Sequence, residues 1–147
     1  MMQRKMLDGR HGEIDRIIDG GHGSEDIMSE RRDLLQKVEM LERTFSDQEI
    51  QDAVWACGCD KAPGPDEFSF HFLRRFWDQF KTEVIAFVQE FYVSRHITPG
   101  CNSSFITLIP KCENPTLIKD FRRISLIGLQ YKIISKLLAD RLVKVVD

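Results

Sequence analysis

Nowhere is this chain apolar for the roughly 18–20 consecutive residues that a membrane-spanning helix needs, so no membrane crossing is expected. It has no glycine-rich phosphate loop, no Gly-x-Ser-x-Gly elbow and no internal repeat. Carboxylates paired to hold two metal ions are not evident. An excess of one charge is also missing: the formal net charge is −2, which gives no global case for a polyanionic partner. Cysteine is scarce, at four residues (Cys57, Cys59, Cys101, Cys112). Cys57-Gly58-Cys59 has a single residue between its thiols, and no His-x-His or second close pair completes a zinc set. With no signal peptide in view, these read as reduced thiols of an intracellular protein, nucleus or cytoplasm left open.

What remains is a chain of 147 residues, 42% apolar and 30% charged, enough for one globular domain with a core. Its charge is unevenly spread. From Phe105 onward eight Lys/Arg face four Asp/Glu, whereas residues 1–44 carry eight against ten. The basic excess is local to the C-terminal third.

Residues 1–24 hold five of the nine glycines among mixed charges, and the turn of apolar face at Ile14, Ile17 and Ile18 is not sustained. A poorly ordered leader is expected there. A weak helical period follows over 25–44, through Ile27, Leu34, Leu35, Val38 and Leu41. Ser46 with Glu49 forms a capping box, and Phe45 with Ile50 the matching hydrophobic staple. That helix should stop at Gly58.

Lys61-Ala62-Pro63-Gly64-Pro65-Asp66 then forces a stiff turn, because two prolines fix φ and bias the residues before them toward extended geometry. Phe72, Phe76, Phe80, Val84, Phe87, Val88 and Phe91 recur at three- and four-residue spacing, which predicts helix from Phe68 to about Ser94. Such a stripe reads as core, with Arg74, Arg75 and Asp78 on the solvent face. A break near Asp78–Lys81 would split it into two helices. Residues 105–109 and 122–127 read as antiparallel strands, joined by a connection that contains Asn114-Pro115. Tyr131 to Val146 reads as an amphipathic helix, with Lys132, Lys136, Arg141 and Lys144 outside its apolar face. The fold class expected is α+β: mostly helical to about residue 95, then a two-stranded antiparallel ribbon and a C-terminal helix.

In order, these blocks resemble the start of the reverse transcriptase of plant LINE-type (non-long-terminal-repeat) retrotransposons. The resemblance rests on Phe45-Ser46…Glu49-Ile50, Lys61 to Asp66, Cys101 to Lys111, Phe121-Arg122, Ile124 to Gly128 and Tyr131 to Leu142. It spans Leu41 to Val146, with residues 45–147 as the polymerase portion. It implies the N-terminal extension and fingers of a right-hand polymerase. By the family pattern, Lys111 and Arg122 face the triphosphate of an incoming nucleotide, a role that suits a planar guanidinium. Lys61 and Arg123 are candidate contacts to template phosphates, which hold a strand without reading its sequence.

Two positions depart from the family: Glu67 stands where the family has glycine after the Asp of the turn, and Arg123 where it has proline. The family's metal-binding palm motifs, including the Tyr/Phe-x-Asp-Asp box, come after the last block seen here. Asp147 has no motif around it. The resemblance therefore implies a piece of an RNA-directed DNA polymerase with no catalytic residue of its own, inactive alone. It would hold no cofactor, although the full-length family uses Mg²⁺. Partners would be a deoxynucleoside triphosphate and, weakly at most, an RNA or DNA template. The alternative is a host-retained, non-catalytic RNA- or DNA-binding module. A third reading is a chain that leaves its aromatic stripe unpartnered and does not fold stably.

Overall fold

The computed structural model describes residues 2–19 and 25–146, without the side chains of residues 2–8, 18 and 19. The elements in chain order are α1 (Met2–Asp19), α2 (Glu25–Glu42), α3 (Asp47–Ala56), α4 (Phe70–Arg75), α5 (Trp77–Ser94), β1 (Ser104–Pro110), a 3-10 turn (Ile118–Asp120), β2 (Phe121–Ile127) and α6 (Leu129–Val146). The α+β class read from the sequence holds. They divide into two compact units, one of Met1–Arg43 with Arg141–Asp147, the other of Thr44–Asp140.

In the first unit a helix occupies Met2–Asp19, where the glycines lead one to expect no sustained element. Interhelical contacts account for it: Ile14 is buried, Arg31 donates to Asp15 at 2.7 Å, and Arg10 pairs with Glu30 at 2.7 Å. The hydrogen bond from Arg31 holds the Asp15 carboxyl below its usual range, against a smaller opposing effect of desolvation. Residues 20–24 of the expected leader lie outside the described residues. Arg141, only 2% exposed, donates to the carbonyls of Leu41 (3.5 Å) and Arg43 (2.5 Å). These carbonyls lie at the C-terminal end of α2, where orphan acceptors and the helix dipole both favour a cation. Arg141 is thus a buried cap, not the outer-face charge that its helical position predicts.

The second unit is built on α3. Its capping box is present in both directions, each bond 3.2 Å, and Phe45 and Ile50 are both buried. Around it Val54, Phe70, Leu73, Val88, Ile133 and Leu137 form the core. Phe45 also meets the edge of Tyr92, and Gln89 donates to the Phe45 carbonyl at 2.7 Å.

The aromatic run differs from its sequence reading. Ser69 caps α4 by accepting from Phe72 N–H at 3.2 Å, and the helix breaks at Phe76 (φ −110°, ψ 26°), ahead of the expected Asp78–Lys81. A break resets the helical phase, so spacing counted across it no longer marks one face. The buried residues are Phe70, Leu73 and Val88, while Phe76 and Phe80 are 36% and 39% exposed. Half-buried Phe72 instead gathers the exposed Phe68, Phe76 and Phe80 around it, their ring centroids 5.0–5.7 Å from its own. Arg74, expected on the solvent face, donates to the carbonyls of Val54 (3.1 Å), Trp55 (2.8 Å) and Cys57. It caps the C-terminal end of α3 as Arg141 caps α2.

β1 and β2 pair antiparallel, with Ser104 opposite Ile127, Ile109 opposite Arg122 and Pro110 opposite Phe121. Every residue of β1 is exposed. Phe105, Ile106, Leu108, Ile109 and Ile124 stand in solvent on the two faces of this ribbon.

Candidate functional site

Two places carry the residues singled out by sequence: the turn Lys61–Asp66 and the end of the ribbon farthest from α6.

The turn meets the junction between β2 and α6 through Gly64, Asp66 and the Ala62 carbonyl. Helix α6 begins after Gly128, which has no side chain to accept from the first free N–H groups. Asp66 supplies that acceptor, its Oδ2 taking the Leu129 N–H at 2.5 Å. Gly64 lies so close to the same junction that a Cβ there would sit 2.3 Å from the carbonyl carbon of Ile127. Lys132, one turn into α6, reaches back to the Ala62 carbonyl at 3.0 Å. Gly64 O accepts from Glu67 N–H at 3.0 Å and closes the bend. The motif therefore seats the strand that carries Arg122 and Arg123, a structural duty that spacing alone does not reveal. A helix start with a bare glycine ahead of it was the available signal.

Glu67 takes φ +58°, the left-handed backbone that glycine adopts freely and other residues adopt at a cost. The strain expected at Glu67 is thus present in its backbone. Lys61 is exposed at the mouth of the turn. Burial pushes the Cys57 thiol up, and the Lys61 charge opposes that more weakly.

At the far end of the ribbon the ladder continues one step past Pro110, with Lys111 N–H donating to Asp120 O at 2.7 Å. Facing residues share a side of an antiparallel pair, and residues two apart along a strand do as well. By this register Lys111, Ile109 and Arg122 belong to one side, Leu108 and Arg123 to the other. The side chains differ in their engagement. Lys111 Nζ donates to Lys119 O at 2.8 Å, which ties it to the connection. Asp120 accepts the N–H groups of Thr116 and Leu117 at 3.1 and 2.9 Å and closes that connection. The Arg122 and Arg123 side chains are exposed and have no hydrogen bond or ion pair among the described residues. Two free guanidiniums on opposite sides of one strand can each offer a planar fork to phosphate oxygens.

Among the described residues no three or more His, Cys, Asp or Glu are grouped so that they could hold a metal ion. No described helix is long and apolar enough to cross a membrane.

A search of protein-family models gives no match to this chain. Among curated proteins it is similar to the uncharacterized 149 kDa protein of transposon TX1 from Xenopus laevis, with 29% identity over 116 residues. That alignment takes in 79% of the present chain and 8% of the length of the Xenopus protein.

Proposed function

We propose that this chain derives from a LINE-type retrotransposon and corresponds to the N-terminal extension and fingers of its reverse transcriptase. The end of its ribbon farthest from α6 binds phosphate, Arg122 and Lys111 toward the triphosphate of a nucleotide and Arg123 toward a template strand. Lys61, in the separate Pro-Gly-Pro turn, is a second contact for that strand. The observation that carries the reading is the antiparallel register, which brings the Lys111 end of β1 beside the Arg122 start of β2, where the side chains of Arg122 and Arg123 have no partner among the described residues. The similarity to a transposon protein supports the origin, and the ordered motif blocks support the polymerase portion. In the resembled family the metal-binding carboxylates lie in motifs beyond these blocks. The role proposed for these residues is accordingly binding and positioning, not nucleotidyl transfer.

Fluorescence anisotropy with a labelled deoxynucleoside triphosphate and with single-stranded RNA, at low and moderate salt, tests it. Both affinities should fall steeply with salt as counterions are released. Arg122→Ala should remove a charge-assisted hydrogen bond of about 1.5–3 kcal/mol from nucleotide binding, roughly 10- to 100-fold. Arg123→Ala should weaken RNA more than nucleotide. Flat titrations at low salt with folded protein would refute the phosphate role. Salt-dependent RNA binding without any nucleotide binding would favour a nucleic-acid-binding module instead.

A further inference from the structure

The ribbon of β1 and β2 has apolar side chains in solvent, with Phe105 57% and Ile106 68% exposed, and it has two free edges. A two-stranded antiparallel pair is marginal in water unless further strands or a helix join it. The two edges differ. β2 carries Arg122 and Arg123, whereas Ser104–Pro110 carries no charge. Charged side chains on an edge strand ordinarily keep it from pairing with another chain. β1 lacks that protection.

The alternation of hydrogen bonds defines what the free edge of β1 offers. Lys111 N–H donates to Asp120 O, so the bonded pairs above it are Ile109 with Arg122, Thr107 with Ile124 and Phe105 with Leu126. The N–H and C=O groups of Ser104, Ile106 and Leu108 therefore point away from β2. No backbone hydrogen bond ties them to another element among the described residues. Pro110 has the same parity, so its missing donor falls on the free edge and costs the ribbon nothing.

This edge is complementary to itself. A two-fold axis at Thr107 sets Ile106 opposite Leu108 of a second copy, where the two exchange both backbone bonds. Ser104 N–H meets the Pro110 carbonyl, the one group that proline still supplies. Phe105 then faces Ile109, an aromatic and β-branched pair, and Thr107 faces its own counterpart, both favourable cross-strand combinations. An axis moved to Ile106 or Leu108 sets Thr107 against Phe105 or Ile109 and shortens the overlap. Pairing through β2 would instead gather the arginines of both copies.

We infer that β1 pairs edge to edge with β1 of a second copy of this chain, giving a sheet in the order β2-β1-β1-β2. The contact is isologous, so it closes at a dimer with the arginine-bearing strands outermost. One strand edge is smaller than the roughly 1,200 Å² that stable complexes bury, so the dimer is reversible and governed by concentration. The inference does not rest on the phosphate-binding reading.

Sedimentation velocity on the full chain over a range of concentrations should show monomer passing to dimer and to nothing larger. Residue-resolved amide exchange by NMR reads the register on the unaltered chain. The amides of Ile106 and Leu108 should slow at least about tenfold as concentration rises, whereas those of Phe105, Thr107 and Ile109, bonded within the ribbon, should not change. Ile106→Pro removes only an outward donor, and Thr107→Lys sets two like charges against each other at the axis. Each should weaken the dimer at least about tenfold while circular dichroism shows the fold retained. A chain that stays monomeric at every concentration would overturn the inference. So would assembly beyond the dimer, a dimer that leaves the Ile106 and Leu108 amides unprotected, or one that persists in both folded variants.

Discussion

The turn at Lys61–Asp66 and the ribbon end at Lys111–Arg123 carry the same kind of sequence signal, a short charged motif beside proline, yet the structure treats them oppositely. At the turn the glycine, the aspartate and the Ala62 carbonyl each meet the β2–α6 junction. At the ribbon end two arginines meet nothing among the described residues, and apolar side chains stand in solvent around them. A charged motif is scaffold where its polar atoms find partners within the chain. It is a candidate surface for something else where they do not.

The largest expected effect tests the scaffold side. Gly64→Ala would drive a methyl into the backbone at Ile127 and Gly128, neither of which can swing aside as a side chain would. A loss of about 3 kcal/mol or more is expected, at or beyond the upper end of overpacking costs, measured by urea unfolding. A loss under about 1 kcal/mol would mean that the turn is not seated on the junction. Next, Arg74→Ala leaves the C-terminal carbonyls of α3 without their cation, at a cost of about 2 kcal/mol. Arg74→Lys should recover only part of this, because one ammonium cannot reach three carbonyls as a guanidinium fork does.

Glu67→Gly should stabilise the chain by about 0.5–1 kcal/mol, since relief of the left-handed backbone exceeds the added entropy of glycine in the unfolded state. A destabilisation there would mean that the Glu67 side chain makes a contribution the backbone argument omits. Smallest of all, Arg122→Ala and Arg123→Ala should each shift stability by less than about 0.5 kcal/mol. A larger shift in either would move the ribbon end from surface to scaffold and erase the contrast.

What the sequence made legible follows the reach of each interaction. The capping box of α3 spans three residues and was readable, as were the strands, their antiparallel pairing and α6. The break at Phe76 was misplaced because the aromatic spacing runs on through it, and only the packing of Phe70 and Leu73 shows which face is inside. Arg74, Lys132 and Arg141 were assigned to outer faces by helical position, yet each reaches a carbonyl 17 to 100 residues away. Periodicity says which side of a helix a residue occupies. It does not say whether another element's carbonyls wait there. Part of the basic excess of the C-terminal third is consumed in this way, at Lys132 and Arg141 and, by Lys119 O, at Lys111. The local charge count therefore overstates what is available to a polyanion: with Lys136 paired to Asp140, Arg122 and Arg123 remain alongside Lys119 and Lys144.

The bond from Asp66 to Leu129 joins positions 63 residues apart, so everything from Glu67 to Gly128 is an excursion that leaves one anchor and returns to it. Within such a closed loop, added length is thermodynamically cheap: the closure cost grows only with the logarithm of length, about 0.6 kcal/mol for each doubling. The connection at Cys112–Asn114, exposed at the tip of that excursion, can accordingly change in length without disturbing its root. A polypeptide built this way can lengthen or reshape the part that reaches outward over generations, while the single carboxylate at its base keeps the return address.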